Sequence, residues 1–280
     1  MNNADQRRPS LALADASNQK TANTLKIGSF NMQGALSAGK VEALCEWGYM
    51  KKMDIIAVQE TNMNNGGYQM TKHIRQNYYD MWWVNGKEGA TKGTGVGLLM
   101  AKSWFQHAAR TSACGSRAQA RDFNLRGNFK IRIINCYIPS GRDREEEAEV
   151  IKEWLKNEHD KAREEGRGVI LLGDFNAVRN PRLDRSRENA SGTRPESALL
   201  QWLETQPLHD VFRAMHPLQE DFTFGNKSRI DMIFVSDIFA DRENGGLNFL
   251  ARPRAVAKYQ TKLLCQMQRS HGKRLYSLFP

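Results

Sequence analysis

Asp174-Phe175-Asn176 places a carboxylate and an amide two residues apart, just after the apolar run Val169-Ile170-Leu171-Leu172-Gly173. On extended backbone, side chains two apart point to the same side. A carboxylate acceptor beside an amide that both donates and accepts can hold a water molecule against a phosphate. The same tripeptide also suits a plain turn, because Asp and Asn both favour turns. Four other strand-like runs weigh against turns alone. Leu25–Phe30 leads into Asn31, and Asp54–Val58 leads into Gln59 and Glu60. Ile131–Cys136 leads into Tyr137, and Asp231 stands between Ser228-Arg229-Ile230 and the run Met232–Ser236. Each is β-branched or aromatic with a polar residue at or near one end, the pattern of a buried strand opening onto a cleft.

The elements that must position these groups are strands and amphipathic helices. Lys40–Met53 carries Val41, Leu44, Cys45, Trp47 and Tyr49 near helical spacing and leads into the Asp54 strand. Arg144–Glu165 is highly charged, with Val150, Ile151, Trp154 and Leu155 expected as its apolar stripe. Glu145, Glu146 and Glu147 fall in its first turns, where negative charge complements the helix dipole. A third helix is expected over Glu196–Glu204. Trp82 and Trp83 read as strand and core. Strands and helices together predict an α/β fold, with two sheets packed face to face and helices outside.

The chain has 280 residues, and the continuous motif order favours one domain over 25–241. Residues 1–24 are polar and read as a disordered leader without the apolar core of a secretory signal. No apolar run is long enough for a membrane span. The four cysteines are widely spaced, without Cys-x-x-Cys, which argues against zinc and fits a reducing, intracellular setting. The net charge is +10, but eight Lys or Arg and one Glu lie after Asp241, so residues 242–280 carry +7 of it. Such a basic tail can bind nucleic-acid phosphates without reading sequence, or be a solvated segment. The overall charge is therefore no proof of a DNA substrate.

In order and spacing, Phe30-Asn31, Gln59-Glu60, Tyr137-x-Pro139, Gly173-Asp174-Phe175-Asn176 and Arg229-Ile230-Asp231 resemble the endonuclease/exonuclease/phosphatase superfamily. Its fold is the DNase I-like sandwich, and it includes abasic-site endonucleases and the endonuclease domains of LINE-type retrotransposons. His209–Arg213, His216-Pro217 and Phe222-Thr223-Phe224 are similar to that branch. Gly93–Leu99 reads as the Gly-rich approach to a core strand, not as a dinucleotide loop.

The resemblance implies a Mg²⁺-dependent phosphodiesterase, with Mn²⁺ as the alternative metal, that nicks DNA. It implies Glu60 as the metal ligand. Asn31 would hold Asp174 or the phosphate, and Asp174 would orient or deprotonate the attacking water. Asn176 would bond a phosphate oxygen, Tyr137 would donate to the scissile phosphate, and Asp231 would orient a catalytic His. Arg142 is expected to touch the DNA backbone or to be an exposed loop arginine. A retroelement origin implies a nuclear location.

The family's final Ser-Asp-His does not follow. Ser236-Asp237 is succeeded by Ile238, and Ser270-His271 lacks the intervening Asp. Gln33 stands where the abasic-site branch often has an acid. The expected consequences are a missing or degraded terminal strand after Asp241 and an impaired enzyme or a fragment of a longer element. The alternatives are an inactive nucleic-acid-binding remnant, or an RNA nuclease or phosphatase of the same fold.

Overall fold

A computed structural model describes residues 25–34, 38–64, 66–69, 71, 74, 78–85, 93–186, 197–225 and 227–239. It also describes the backbone of short strands at 250–251, 261–262, 267–270 and 273–276. The expectations for residues 1–24 and for His271 lie outside the described residues.

Two six-stranded sheets stack face to face, as the alternating strands require. The first contains β1 (Ile27–Asn31), β2 (Ile55–Gln59), β3 (Tyr79–Val84), β4 (Val96–Ala101), β13 (Met267–Ser270) and β14 (Lys273–Tyr276). Its order is β13-β14-β1-β2-β4-β3. The second contains β5 (Ala108–Cys114), β6 (Ala118–Asn124), β7 (Lys130–Tyr137), β8 (Gly168–Asp174), β9 (Leu208–Asp210) and β10 (Asp231–Ser236). Its order is β5-β6-β7-β8-β10-β9. β11 (Leu250–Ala251) and β12 (Thr261–Lys262) form a separate two-stranded ribbon. Helices among the described residues include α1 (Ala38–Met50), α2 (Lys102–Phe105), α3 (Glu145–Glu164), α4 (Ala198–Glu204) and α5 (Val211–Met215).

After Asp241, where a missing or degraded terminal strand is expected, the described backbone includes β13 and β14. β14 pairs antiparallel with β1 through Ser29 and Tyr276. Two further expectations also change. On α3 the buried face runs through Ala148, Ile151, Leu155 and Ala162, whereas Val150 is 63% exposed. Trp82 is not core: it is 38% exposed, and the Arg121 guanidinium stacks 4.6 Å from its ring centre.

β1 and β2 are parallel and joined by α1; β7 and β8 are parallel and joined by α3. These are two β-α-β units whose strands end at the same rim. Alternation sorts each strand into two faces. Ile55 and Ala57 face the opposite sheet, while Ile56 and Val58 pack in the cluster that contains Val41, Leu44 and Cys45 of α1. Likewise Ile131 and Ile133 face inward, and Ile134 and Cys136 pack with Ile151 and Leu155 of α3. A one-residue slip would exchange both faces, so burial fixes the register.

Along the space between the sheets, chemistry changes toward that rim. Ile27, Ile55, Ile131, Ile170 and Val235 fill the apolar part. Above them Gln59 Nε2 donates to Asn135 Oδ1 at 2.7 Å and to Ser29 Oγ at 3.0 Å. Asn135 Nδ2 donates to the Val58 and Gly97 carbonyls at 3.0 and 2.9 Å. These buried groups are paired across the two sheets and fix one relative position of the layers.

Candidate active site

The next residues along the same strand faces are Asn31, Tyr137 and Asp174, with Glu60 one step beyond β2. Asn31 joins the sheets: its Nδ2 donates to Glu60 Oε1 at 2.9 Å and to Asp174 Oδ2 at 2.9 Å. Its own Oδ1 accepts from the Gln33 amide at 3.0 Å. Within the second sheet, Tyr137 and Asp231 are the strand partners of Asp174 on either side. Asn176 N donates to Asp174 Oδ1 at 2.9 Å, and Asn176 Nδ2 donates to the Ile138 carbonyl at 2.7 Å. Asn31, Glu60, Tyr137, Asp174, Asn176 and Asp231 are thus brought to one rim. Arg142 is different: it sits on an exposed 3-10 turn over Arg142–Arg144.

Several local devices hold these groups. Gly173 has φ +145, and a Cβ there would lie 1.9 Å from the Cys136 carbonyl oxygen. Only glycine lets β8 approach β7 this closely immediately before Asp174. Glu60, Asn62 and Asn176 take left-handed backbone at φ 48, 50 and 47. Such non-glycine positions carry on the order of 1 kcal/mol of strain each, and persist where surrounding contacts dictate them. Around Glu60 those contacts come from the Gly-rich approach to β4. Thr61 N and Asn62 N donate to the Gly95 and Thr94 carbonyls at 3.1 and 2.8 Å, and Thr94 N returns a bond to Asn62 Oδ1 at 3.1 Å. The Gly93–Leu99 stretch therefore positions Glu60.

Burial, followed by the Asp231 charge, pushes the Asp174 carboxyl well above its usual range, against hydrogen bonds from Asn176 and Asn31. Burial also raises Asp231 to about 6, with Glu60 adding to the rise. The Thr223 hydroxyl pulls it back. Thr223 Oγ1 also accepts from the Ile230 and Asp231 amides at 3.0 and 3.2 Å. Burial and the same carboxylates raise Tyr137 to about 12, so its hydroxyl stays protonated and remains a donor.

Glu60 could hold a metal ion. Among the described residues, no three His, Cys, Asp or Glu side chains gather as a ligand cluster. A divalent hard cation needs no such cage, since Mg²⁺ binds through one or two carboxylates and keeps several waters. The partly exposed Glu60 carboxylate, beside two carboxyls whose ionisation is suppressed, fits that donor set.

Three further groups support the site, although sequence reading gives none of them a role. Thr223 steadies Asp231, and Arg117 packs 5.3 Å from the Tyr137 ring centre, with its Nε paired to Glu147. A buried fork links Arg229 to Asp184 and Asp210 two residues before Asp231. A pair of acids far along the chain opposite an arginine gives no local pattern, so only the fold reveals it.

A model of the endonuclease/exonuclease/phosphatase family matches residues 28–251. Among curated proteins, none matches the chain. Solved structures give the fold independently. AP endonuclease LMAP from Leishmania major aligns with TM-score 0.65 at 16% identity, covering 91% of this chain and 86% of that one. An AP endonuclease from Archaeoglobus fulgidus gives 0.59 at 19%, covering 91% and 99%. The APE2 catalytic domain of Xenopus laevis gives 0.61 at 17%, covering 91% of each. With most of its length matched and both sheets arranged as in these structures, the chain belongs to the endonuclease/exonuclease/phosphatase family.

Proposed function

We propose that this chain is a divalent-metal-dependent phosphodiester hydrolase of the retrotransposon endonuclease type, acting on DNA. The observation that carries it is the Asn31 amide, which ties Glu60 of one sheet to Asp174 of the other at 2.9 Å each. In this reading Glu60 holds the metal and Asp174 activates the water, and one amide keeps the two carboxylates close together. Asp174, when ionised, accepts a proton from water, and its two oxygens are already aimed by Asn31 and Asn176. The Tyr137 hydroxyl, which accepts from the Asn176 side chain, is a donor for a phosphate oxygen, where negative charge develops. A divalent cation at Glu60 would supply charge neutralisation on the phosphoryl oxygens.

Two measurements test this reading. Purified protein is expected to nick supercoiled plasmid with Mg²⁺ and not in excess chelator. Calorimetric Mg²⁺ titration is expected to show affinity at least about tenfold weaker for Glu60→Gln, since one carboxylate carries the site. Equal affinity in the two proteins would remove Glu60 as the ligand.

A second reading, an inactive nucleic-acid-binding remnant, has one observation in its favour. Among the described residues no histidine bonds Asp231; His209 instead pairs with Asp237 at 2.6 Å. Nicking by the wild type that survives His271→Ala would show that the missing histidine is dispensable. Nicking lost in His271→Ala would identify Ser270-His271 as the displaced motif. DNA binding without nicking would favour the remnant.

A further inference from the structure

β2 and β4 pair in register as far as Val58 and Gly97. Beyond that pair the register changes. Thr61 N donates to the Gly95 carbonyl at 3.1 Å and Asn62 N to the Thr94 carbonyl at 2.8 Å. Gln59 and Glu60 thus stand opposite a single residue, Val96. Two residues against one is the geometry of a β-bulge, which bends its strand and re-aims a side chain. On its other side β2 stays bound to the chain leaving β1: Met32 N and Gly34 N donate to the Gln59 and Glu60 carbonyls at 2.8 and 2.7 Å. The extra residue is absorbed at Glu60, whose backbone is left-handed at φ 48. The bulge therefore sets the direction of the Glu60 carboxylate.

A bulge interrupts its ladder, and here one side chain from the opposite sheet spans the interruption. Asn135, on β7, is fully buried. Its Nδ2 donates to both carbonyls of the last in-register pair, Val58 at 3.0 Å and Gly97 at 2.9 Å. Both amide hydrogens are then used, and Oδ1 is left to accept. It accepts from Nε2 of Gln59, the first residue of the bulge, at 2.7 Å. The other hydrogen of that Gln59 amide goes to Ser29 Oγ on β1 at 3.0 Å. One buried amide thus grips β2 on both sides of the point where its register breaks, and ties it to β4. Neither a carboxylate nor a hydroxyl can replace it, because two donor hydrogens and an acceptor are needed at one place. The opposing strand is adapted as well: Gly95 has φ +84, and a Cβ there would run into Thr61 Oγ1.

We propose that Asn135 is a positioning residue for the metal site: it clamps the bulge at Gln59-Glu60 and so aims the Glu60 carboxylate into the cleft. This rests on the reading of Glu60 as the metal ligand. Asn135 itself lies one layer below the reacting groups and acts only through Glu60.

Calorimetric Mg²⁺ titration and amide hydrogen exchange, both on the full chain, test it. Asn135→Ala is expected to weaken Mg²⁺ binding on the order of tenfold, the size usual for a group that orients a metal ligand. The Thr61 and Asn62 amides should exchange at least about tenfold faster relative to those of β8, since the opening is local. The double variant Asn135→Ala with Glu60→Gln should bind Mg²⁺ no more weakly than Glu60→Gln alone, because both changes act through one carboxylate. Asn135→Ser is milder, keeps one donor hydrogen, and should lie between wild type and Asn135→Ala. Leu155→Ala, a core truncation under α3, should lower the urea midpoint and leave both Mg²⁺ affinity and relative Thr61 exchange unchanged. Wild-type Mg²⁺ affinity in a folded Asn135→Ala, or losses that multiply in the double variant, would overturn the positioning role. If Asn135→Ala does not fold, wild-type Thr61 exchange in Asn135→Ser would overturn it. Faster Thr61 exchange in a protein that binds no Mg²⁺ would keep the clamp and reject Glu60 as the ligand.

Discussion

Asp231→Asn is expected to lower plasmid nicking by about 10²- to 10⁴-fold, the range for losing a group that handles protons or orients one that does. The same change is expected to make the folded protein more stable above pH 6. Both effects have one cause. Asp231 stands beside Asp174, with Glu60 close enough to disfavour its ionisation, and burial raises it to about 6. A carboxyl raised above its unfolded value of about 3.9 binds more protons folded than unfolded in between. The penalty is therefore absent below pH 4, grows as pH rises through 6, and is fully present above it. Its size is about 2–3 kcal/mol at most, because a bound cation would offset part of it. An amide keeps the shape, still pairs with the Thr223 hydroxyl, and carries no charge. Urea denaturation of both proteins at pH 4 and pH 8, in chelator, reads the effect directly. A variant less stable than wild type at pH 8 would show that the clustered carboxylates are already compensated. Retained nicking would remove Asp231 from the reaction.

The strand exits were legible because burial writes itself into sequence with period 2. Val169–Leu172 and Ile55–Val58 are fully buried, and the polar residue after each marks the end of the core. What could not be read was which exits meet. Asn31 and Asp174 are 143 residues apart, and their bond depends on two β-α-β units facing each other. Arg117 was missed because it reaches Tyr137 through the antiparallel register of β6 and β7, and it precedes its strand in a polar turn. Arg142 follows the Tyr137 motif directly and lies exposed on the 3-10 turn, a position open to solvent and to a backbone phosphate alike. The strands after Asp241 lack a β-branched pattern. Their ladder is made by backbone groups, and pairing with β1 confers strand geometry whatever the propensity. Trp82 departs from the expectation because aromatic bulk predicts burial, whereas β3 is an edge strand and the ring takes the Arg121 guanidinium instead.

Arg229→Met is expected to destabilise the protein by about 3–5 kcal/mol at pH 7, the range for removing one partner of a buried ionic cluster. Arg229 is fully buried. Its Nε and Nη2 donate to the two Asp184 oxygens at 2.8 and 3.2 Å, and its Nη1 and Nη2 donate to the two Asp210 oxygens at 3.2 and 2.7 Å. Methionine leaves both carboxylates buried, with Arg213 on Asp184 and Arg179 at 3.6 Å from Asp210 as partial compensation. Burial opposes ionisation of Asp184, but the Arg229 hydrogen bond and charge, joined by Arg213, hold its pKa below the usual range. A depressed carboxyl contributes stability above its unfolded pKa and loses it as pH falls through the folded value. The difference between wild type and Arg229→Met should therefore be full at neutral pH and shrink below about pH 4. Arg229→Lys keeps the charge without the fork and should lie between the two. The cluster also bears on the proposed reaction. Asp184 binds the Asn180 and Arg229 amides at 2.8 and 2.9 Å, and so ties the loop after Asn176 to the strand that carries Asp231. The Arg229 charge lowers the Asp231 pKa, so its removal should move the acid limb of the pH–rate profile upward. A loss under about 1 kcal/mol, or one that does not vary between pH 7 and pH 3.5, would mean that Arg229 is a packing residue whose charge is immaterial.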